Sequence, residues 1–200
     1  MMSRISRFVA SAALACFAAS PVIAQDAAHS HAHGDHDHAH AADLPTLGVA
    51  VVLPTKGNKA RGVLRLKQQG ADVQVTGKIR NLTEGKHGFH IHQFGDLRDM
   101  ATGKSAGGHF NPSGVDHGTP GHGHAGDLGN ITADADGVAT VDVTLPKAQL
   151  HFFLGRCFVV HADADDLQSQ PSGNAGPRVG LGIIGVGNPD FKPARKQAAK

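Results

Sequence analysis

The stretch Val63–Ile79 reads VLRLKQQGADVQVTGKI, and it decides the fold class of the chain. Apolar and polar residues alternate on both sides of Gly70, Ala71 and Asp72. Alternation of this kind is typical of a half-buried β-strand, and a short break containing Gly and Asp is typical of a hairpin turn. The stretch therefore predicts two antiparallel strands joined by a tight turn.

Short apolar runs of the same kind continue along the chain from Leu44 onward. The sequence Asp134-Ala135-Asp136-Gly137 ends one run and turns into the next. The many glycines, 26 in all, favour turns over helices, and no helical repeat is present. The pattern predicts an all-β antiparallel sandwich or barrel with eight strands. The predicted strands are 46–53, 60–67, 72–80, 86–92, 127–131, 138–143, 156–162 and 181–186.

Residues 1–24 have the features of a secretory signal peptide. The apolar segment Phe8–Ala19 is too short to span a membrane, so no stable membrane insertion is expected. Lipidation at Cys16 is a weaker alternative, because the leucine expected three residues earlier is absent. We expect an exported protein, either periplasmic or extracellular. The signal features are the basic Arg4 and Arg7, the apolar segment, and the small-residue cleavage site at 22–24.

Residues 25–43 are of low complexity, with histidines separated by Ala, Gly, Ser and Asp. They contain too few apolar side chains to form a core, so we expect a disordered arm. A His-rich tract in an exported protein favours weak metal collection, and a solubilising linker is the alternative. The histidines of this arm are His29, His31, His33, His36, His38 and His40.

Charge and cysteine content exclude several classes of function. Without residues 1–24 the chain loses Arg4 and Arg7, so its basic residues equal its 17 acidic ones. No basic field favours nucleic acid or an anionic membrane as a partner. Residues 191–200 are expected to form a solvated basic tail. Cys157 then has no partner for an intrachain disulfide and is expected to be a small buried apolar residue.

Two histidines two positions apart, His90 and His92, lie in the predicted strand GFHIHQFGD. Side chains two apart on a strand share a face at roughly 6.6 Å spacing, so one metal can contact both. An isolated pair of this kind would be interpreted as ordinary surface or hydrogen-bonded histidines. Here the strand CFVVHAD ends with a further histidine, and the Gly-rich stretch GGHFNPSGVDHGTPGHGHAGDLGN adds more candidates. These additional candidate ligands are His109, His117, His124, Asp127 and His161.

Seven candidate ligands can serve two four-coordinate metals only if one ligand is shared. Three histidines and one aspartate suit tetrahedral zinc. Four imidazoles suit tetragonal copper(II). An imidazole has two ring nitrogens, so one deprotonated histidine can bridge two metals. The residues alone leave open which ligand belongs to which metal.

Five motifs resemble those of the copper/zinc superoxide dismutases in order and approximate spacing. They are GFHIHQFGD, GGHFNP, HAGDLGNI, VVHADADD and GNAGPRVG, and the resemblance covers roughly residues 46–187. It implies a superoxide dismutase domain at 44–190. The implied fold is an eight-stranded antiparallel Greek-key β-barrel or sandwich, immunoglobulin-like, with two long functional loops at 93–126 and 163–180.

The resemblance also implies the roles of site residues. Arg178 matches the arginine beside the copper, whose fixed positive charge suits a small anion. Asp165 matches the carboxylate that links a copper ligand to a zinc ligand. His122 is a rival to His124, but its spacing to Asp127 fits the family less well. Copper would be held by His90, His92, His109 and His161, and zinc by His109, His117, His124 and Asp127, with His109 as the bridge and catalytic proton donor.

The implied activity is dismutation of superoxide to oxygen and hydrogen peroxide by a redox-cycling copper, beside a structural zinc. This activity would protect against oxidative damage outside the cytoplasm. The alternative is a non-enzymatic copper or zinc carrier or buffer that uses the same domain and the His-rich arm. Arg178 favours the enzyme, because a carrier has no need for a charge that attracts an anionic substrate.

The chain departs from the family at two places. Gly103 and Leu181 stand at about the positions of the family's intrasubunit disulfide, so the 93–108 loop is expected to be held by packing and metal alone. The loop after Asp166 lacks charged residues, so we expect weaker electrostatic steering. The resemblance also implies a homodimer, and its interface residues would be Phe94, Gly95, Leu154, Gly155 and Ile183.

Overall fold

The structure, a computed structural model, describes residues 44–192. The expected signal peptide, the expected His-rich arm and most of the expected basic tail lie outside this range. Within it, no helix is long and apolar enough to cross a membrane. The strands are β1 (Leu47–Pro54), β2 (Arg61–Gln69), β3 (Asp72–Arg80), β4 (Gly85–His92), β5 (Asp127–Ala133), β6 (Ala139–Leu145), β7 (Cys157–His161) and β8 (Arg178–Val186), with short 3-10 turns at Lys104–Ala106 and Leu150–Phe152.

The eight strands close into one antiparallel barrel in the order β1-β2-β3-β6-β5-β4-β7-β8. β3 pairs with β6, and β4 pairs with β7. The chain segments from β3 to β4 and from β6 to β7 therefore connect strands that are not neighbours in the barrel. These two connections give the Greek-key arrangement. The predicted all-β fold is confirmed, and closure between β1 and β8 makes it a barrel.

The hairpin predicted from Val63–Ile79 is present in the expected register. β2 pairs with β3 from Arg61 opposite Arg80 to Gln69 opposite Asp72, which leaves a two-residue turn. Gly70 in that turn has a φ of 60°, a conformation that a glycine adopts without strain. Apart from Val63, which is exposed, the large apolar side chains of both strands point into the barrel and are fully buried; they are Leu64, Leu66, Val73, Val75 and Ile79.

The last strand begins earlier than the sequence pattern predicts. β8 starts at Arg178 rather than at residue 181, and so it shortens the second long loop by three residues. Gly180 and Gly182 lie within β8 and have no side chain that could show an apolar or polar alternation. The alternation of apolar and polar residues therefore does not indicate where β8 begins.

β4 separates the barrel interior from the side on which the candidate ligands lie. Phe89 and Ile91 belong to the barrel core, where Phe89 stacks on Phe158 with ring centroids 5.2 Å apart. His90 and His92 alternate with them and therefore face away from the core. These two histidines are nevertheless buried, because the long loops cover them. The alternation places imidazoles in a dry site against the outside of the barrel.

A second apolar cluster lies between the first long loop and strands β7 and β8. Cys157 in this cluster is fully buried, as predicted, and burial raises the pKa of its thiol to about 12. We call this set the loop cluster. Its buried members are Ala106, Cys157, Val159 and Leu181, with Leu97 and Met100 packed against them.

Candidate metal centre

Backbone hydrogen bonds fix the first long loop beside β4. Ile91 donates its N–H to the Gly126 carbonyl at 2.9 Å, and its own carbonyl accepts from the Phe110 N–H at 2.8 Å. His109 thereby forms an isolated bridge with His92. A side chain at Gly126 would collide with the Ile91 carbonyl oxygen, so this close approach requires glycine. The loop therefore brings distant histidines against the outer face of β4.

Four histidines form the first group, which we call the four-histidine group. They are His90, His92, His109 and His161. One ring nitrogen from each lies within 4.8 Å of the others, and all four side chains are buried. The Nδ1 of His92 donates to the Gly107 carbonyl at 2.8 Å, and the Nδ1 of His161 donates to the Gly176 carbonyl at 3.0 Å. These bonds leave both Nε2 atoms free to bind a metal, and they lie 3.4 Å apart.

Asp165 connects the two sets of candidate ligands. Its Oδ2 accepts from the Nε2 of His90 at 2.8 Å, and its Oδ1 accepts from the Nε2 of His117 at 3.0 Å. Asn130 holds the Asp165 backbone through two hydrogen bonds of 2.8 and 2.9 Å. The arrangement fixes the tautomer and orientation of both rings, which leaves the Nδ1 of each for a metal.

The second group, which we call the three-histidine group, contains His109, His117, His124 and Asp127, whose ligand atoms also lie within 4.8 Å of one another. The Oδ1 of Asp127 lies 2.7 Å from the Nδ1 of His109 and 3.1 Å from the Nδ1 of His124. The Nδ1 of His117 is 3.0 Å from Oδ2 but does not have the geometry of a hydrogen bond. Burial acts to raise the pKa of Asp127, but the hydrogen bond from His109 and the backbone N–H donors of Gly118 and His124 outweigh it and lower that pKa. Asp127 is therefore a carboxylate at neutral pH.

Within residues 44–192, three buried ring nitrogens have no hydrogen-bond partner: His90 Nδ1, His109 Nε2 and His117 Nδ1. A buried polar atom without a partner costs about 1–3 kcal/mol, so native proteins seldom leave several together. Each of the three belongs to at least one of the two groups, and His109 belongs to both, so a bound metal would satisfy each of them. The donor sets, four imidazoles beside three imidazoles and a carboxylate, fit copper and zinc respectively.

Burial lowers the pKa of three members of the four-histidine group, His90, His92 and His161, and so keeps them uncharged. It lowers the pKa of His90 to about 2, with the neighbouring His109 adding to the effect. Burial likewise lowers the pKa of His161 to about 4. Metals bind the neutral imidazole, so these side chains are in the required form at neutral pH. His117 differs, because Asp165 and Asp127 outweigh its burial and raise its pKa.

Arg178 lies at the start of β8, directly opposite His161 in the strand ladder. Its Nη1 donates to the Gly103 carbonyl at 2.5 Å, and its Nη2 donates to the Gly107 carbonyl at 2.6 Å. Burial lowers the pKa of His92 most, and the positive charge of Arg178 has the second largest lowering effect. A fixed cation is therefore held beside the four-histidine group.

The sequence indicated the candidate ligands and Asp165, but not the other groups that orient them. Asn130 and the carbonyls of Gly107 and Gly176 fix Asp165, His92 and His161, and none was a candidate. A backbone carbonyl that accepts a hydrogen bond cannot be recognised from the residue type, because every residue has one. Gly107 and Gly176 do share a φ of 75°, a backbone conformation that favours glycine. His122, the rival to His124, is exposed.

Comparisons with known proteins agree with this geometry. Residues 60–184 match the family described as copper/zinc superoxide dismutase. The chain is 47% identical over 149 residues to a copper/zinc superoxide dismutase of Mesembryanthemum crystallinum, covering 68% of this chain and 94% of that protein. It is 42% identical over 160 residues to one of Onchocerca volvulus, covering 72% and 98%. The crystal structure of the clock protein EA4 matches with a TM-score of 0.64 at 38% identity, covering 71% of this chain and 95% of that one.

Proposed function

Since the chain belongs to the copper/zinc superoxide dismutase family and is a superoxide dismutase that uses copper and zinc, we propose how its residues divide the two metals. The four-histidine group holds copper, and the three-histidine group holds zinc. The observation that carries this assignment is His109, the one residue common to both groups. Its Nδ1 lies against Asp127 in the zinc set, and its buried Nε2 is left for the copper set.

The metals and the protein supply different parts of the chemistry. When bound, copper supplies one-electron transfer in both directions, and zinc fixes the other ligands in place. Arg178 holds a positive charge beside the copper set, which attracts the superoxide anion and favours one orientation of it. Guanidinium keeps its charge throughout the working pH range, although burial lowers the pKa of Arg178.

His109 is the residue placed to handle a proton. Two superoxide anions and two protons give one oxygen and one hydrogen peroxide, so each turnover needs proton delivery. The Nε2 of His109 is buried without a partner among the described residues, so whenever it is not bound to copper it can hold a proton and release it to the reduced product. With zinc bound, the Nδ1 of His109 and the Asp127 carboxylate, 2.7 Å apart, would both be zinc ligands, and this would keep the ring oriented while Nε2 changes its proton.

Metal analysis of purified protein beside a superoxide-scavenging assay tests this assignment. Arg178→Ala should keep both metals but lose about tenfold or more in scavenging rate, which corresponds to about 1.4 kcal/mol of transition-state stabilisation. Arg98→Ala is the matched control, because Arg98 is an exposed arginine paired only with Asp96. The enzyme assignment is wrong if fully copper-loaded wild type shows no catalytic scavenging.

We propose further that the protein is exported and that 25–43 collects metal for the domain. The support is in the sequence: a signal-like 1–24 segment and six closely spaced histidines. Cell fractionation with mass analysis of the mature N-terminus tests export; a full-length cytoplasmic chain would refute it. Replacing the six histidines by asparagine should lower the number of weakly bound zinc ions per chain while leaving the two tight sites filled.

A homodimer is also proposed, on the basis of an exposed apolar surface. Phe94 is 50% exposed and Ile183 is 38% exposed, and Val51 on the neighbouring β1 is 53% exposed. Gly95 donates its N–H to the Gly155 carbonyl at 2.7 Å, which joins the two loops of this surface. Leu154 packs largely against the barrel core, so it contributes less than the resemblance implies. Light scattering should give twice the chain mass for wild type and the single mass for Phe94→Lys.

A further inference from the structure

The guanidinium of Arg178 is held in place by hydrogen bonds to a loop rather than to its own strand. Both carbonyls that bind it, those of Gly103 and Gly107, belong to the 93–108 loop. The Arg178 backbone is fixed separately, because the Thr55 hydroxyl donates to its carbonyl at 2.7 Å. The direction of the cation is therefore set by where the loop lies on the barrel.

The loop is folded tightly on itself. The Asp99 carboxylate accepts from the N–H groups of Ala101 and Thr102 at 3.1 and 2.9 Å, and the Asp99 carbonyl accepts from the Gly103 N–H at 2.7 Å. Ser105 donates its hydroxyl to the Asp96 carbonyl at 2.7 Å. These bonds make the loop a compact unit, but they do not attach it to the barrel.

The loop cluster makes that attachment. Leu181 is fully buried and lies three residues after Arg178 on β8. A Cβ built on Gly103 would lie 3.0 Å from Leu181 Cδ1 and 3.1 Å from Arg178 Cδ, so the loop backbone rests on both side chains. Ala106, which lies between the two carbonyl-bearing glycines, is buried in the same cluster.

Other contacts join the loop to the barrel away from Gly103. Gly95 donates its N–H to the Gly155 carbonyl, Arg156 donates to the Gln93 carbonyl, and His92 donates to the Gly107 carbonyl. The Lys56 N–H donates to the Met100 carbonyl at 2.8 Å, close to where the loop cluster begins. Among the described residues, Cys157 is the one cysteine, and its thiol is free. No disulfide within this part of the chain therefore attaches the loop to the barrel. Apolar packing on Leu181 is therefore the main constraint on the position of Gly103.

We propose that Leu181 is a positioning residue for Arg178: it seats the 93–108 loop so that the Gly103 and Gly107 carbonyls aim the guanidinium at the anion. The inference rests on the role proposed above for Arg178. Truncation at Leu181 removes the side chain on which the loop backbone rests. The loop then moves, and the cation loses its direction while the ligands of the three-histidine group keep their contacts.

Azide is a small anion that binds copper(II). Its affinity for the protein should not change when a substitution only lowers stability. In the copper- and zinc-loaded protein, Leu181→Ala should weaken azide binding about tenfold, as measured by absorption titration. Leu181→Met keeps the side-chain volume and should restore the affinity to within about twofold. Leu64→Ala, in the main core, should lower the melting temperature similarly without changing azide affinity.

A double variant shows whether Leu181 acts through Arg178. Leu181→Ala combined with Arg178→Ala should bind azide no more weakly than Arg178→Ala alone. A further loss in the double variant would overturn the inference, since Gly107 also accepts from His92 and the copper ligands could then be responsible. Unchanged azide affinity in Arg178→Ala would instead overturn the role of Arg178 itself.

If Leu181→Ala does not fold, Met100→Ala tests the same contact from the loop side. Met100 is only partly buried in the loop cluster, so its truncation disturbs the fold less. It should weaken azide binding in the same direction, by a smaller factor. Azide affinity equal to wild type in this variant would refute the proposal.

Discussion

Asp165→Asn isolates the contribution of the carboxylate that joins the two metal sites. Both Asp165 oxygens accept from an imidazole Nε2, one from His90 and one from His117, and all three side chains are fully buried. An asparagine side chain has one acceptor oxygen and one donor NH₂. One imidazole N–H must then face a donor, so that ring either turns or leaves a buried donor unpaired.

The expected size of the effect follows from that single lost bond. An unpaired buried polar group costs about 1–3 kcal/mol, and loss of a partner behind a metal ligand commonly lowers metal affinity about 10–100-fold. We expect zinc affinity to fall within that range, measured by competition with a chromogenic chelator. Copper affinity should fall as well, because His90 belongs to the four-histidine group, for which we propose copper.

Asp166→Asn is the matched control. Asp166 is adjacent in sequence, exposed, and bonded only to its own loop through Gln168, Ser169 and Asn174. Its metal affinities should equal those of wild type. If Asp165→Asn also binds zinc with wild-type affinity, the view that Asp165 orients His90 and His117 is refuted.

Three further predictions concern stability and rate. Loading both metals should raise the melting temperature by roughly 20 °C, since each metal at about a thousandfold excess over its Kd adds about 4 kcal/mol and each kcal/mol adds about 2–4 °C; equal melting temperatures by calorimetry would contradict this. Without metal, the folded His161 has a pKa of about 4 and His90 one of about 2, below the roughly 6.5 of an unfolded chain. Below about pH 6.5 the unfolded chain therefore binds more protons than the folded chain, and acid destabilises the fold. The metal-free melting temperature should fall by roughly 5 °C between about pH 7.5 and 5, and the raised pKa of His117 offsets this only in part. A melting temperature that rises on acidification would contradict this prediction. The segment 167–173 carries no charge, so the scavenging rate should change by less than about twofold between about 0.01 and 0.15 M salt; a steep fall in stopped-flow rates would show strong steering instead.

Strands such as β2 and β3 were predictable from the sequence because one face is buried and the other is partly or fully exposed. Val73 and Val75 alternate with polar residues, and a period of two has one structural meaning when it flanks a Gly-containing turn. Closure of the barrel was not predictable in this way, because the pairing of β1 with β8 joins residues far apart in sequence. The start of β8 was missed because Gly180 and Gly182 show no alternation.

The candidate ligands were predictable because few residue types can bind copper or zinc. His90, His109 and Asp127 could be chosen from their chemistry and from motif order before any geometry was known. Asp165 was also expected, from the resemblance, but the backbone acceptors that orient His92 and His161 were not, since the carbonyl of Gly107 looks like that of any other residue. The link from Leu181 to Arg178 arises only when the first long loop folds over β8, so it depends on tertiary packing.

Electron paramagnetic resonance tests the central claim, which is that one ring, His109, belongs to both metal sites. The copper(II) signal is recorded with diamagnetic zinc in the three-histidine group and again with paramagnetic cobalt(II) in its place. A shared imidazole couples the two spins, so the copper signal should broaden strongly or disappear when cobalt is bound. An unchanged copper signal in protein shown by metal analysis to hold one copper and one cobalt would contradict the account.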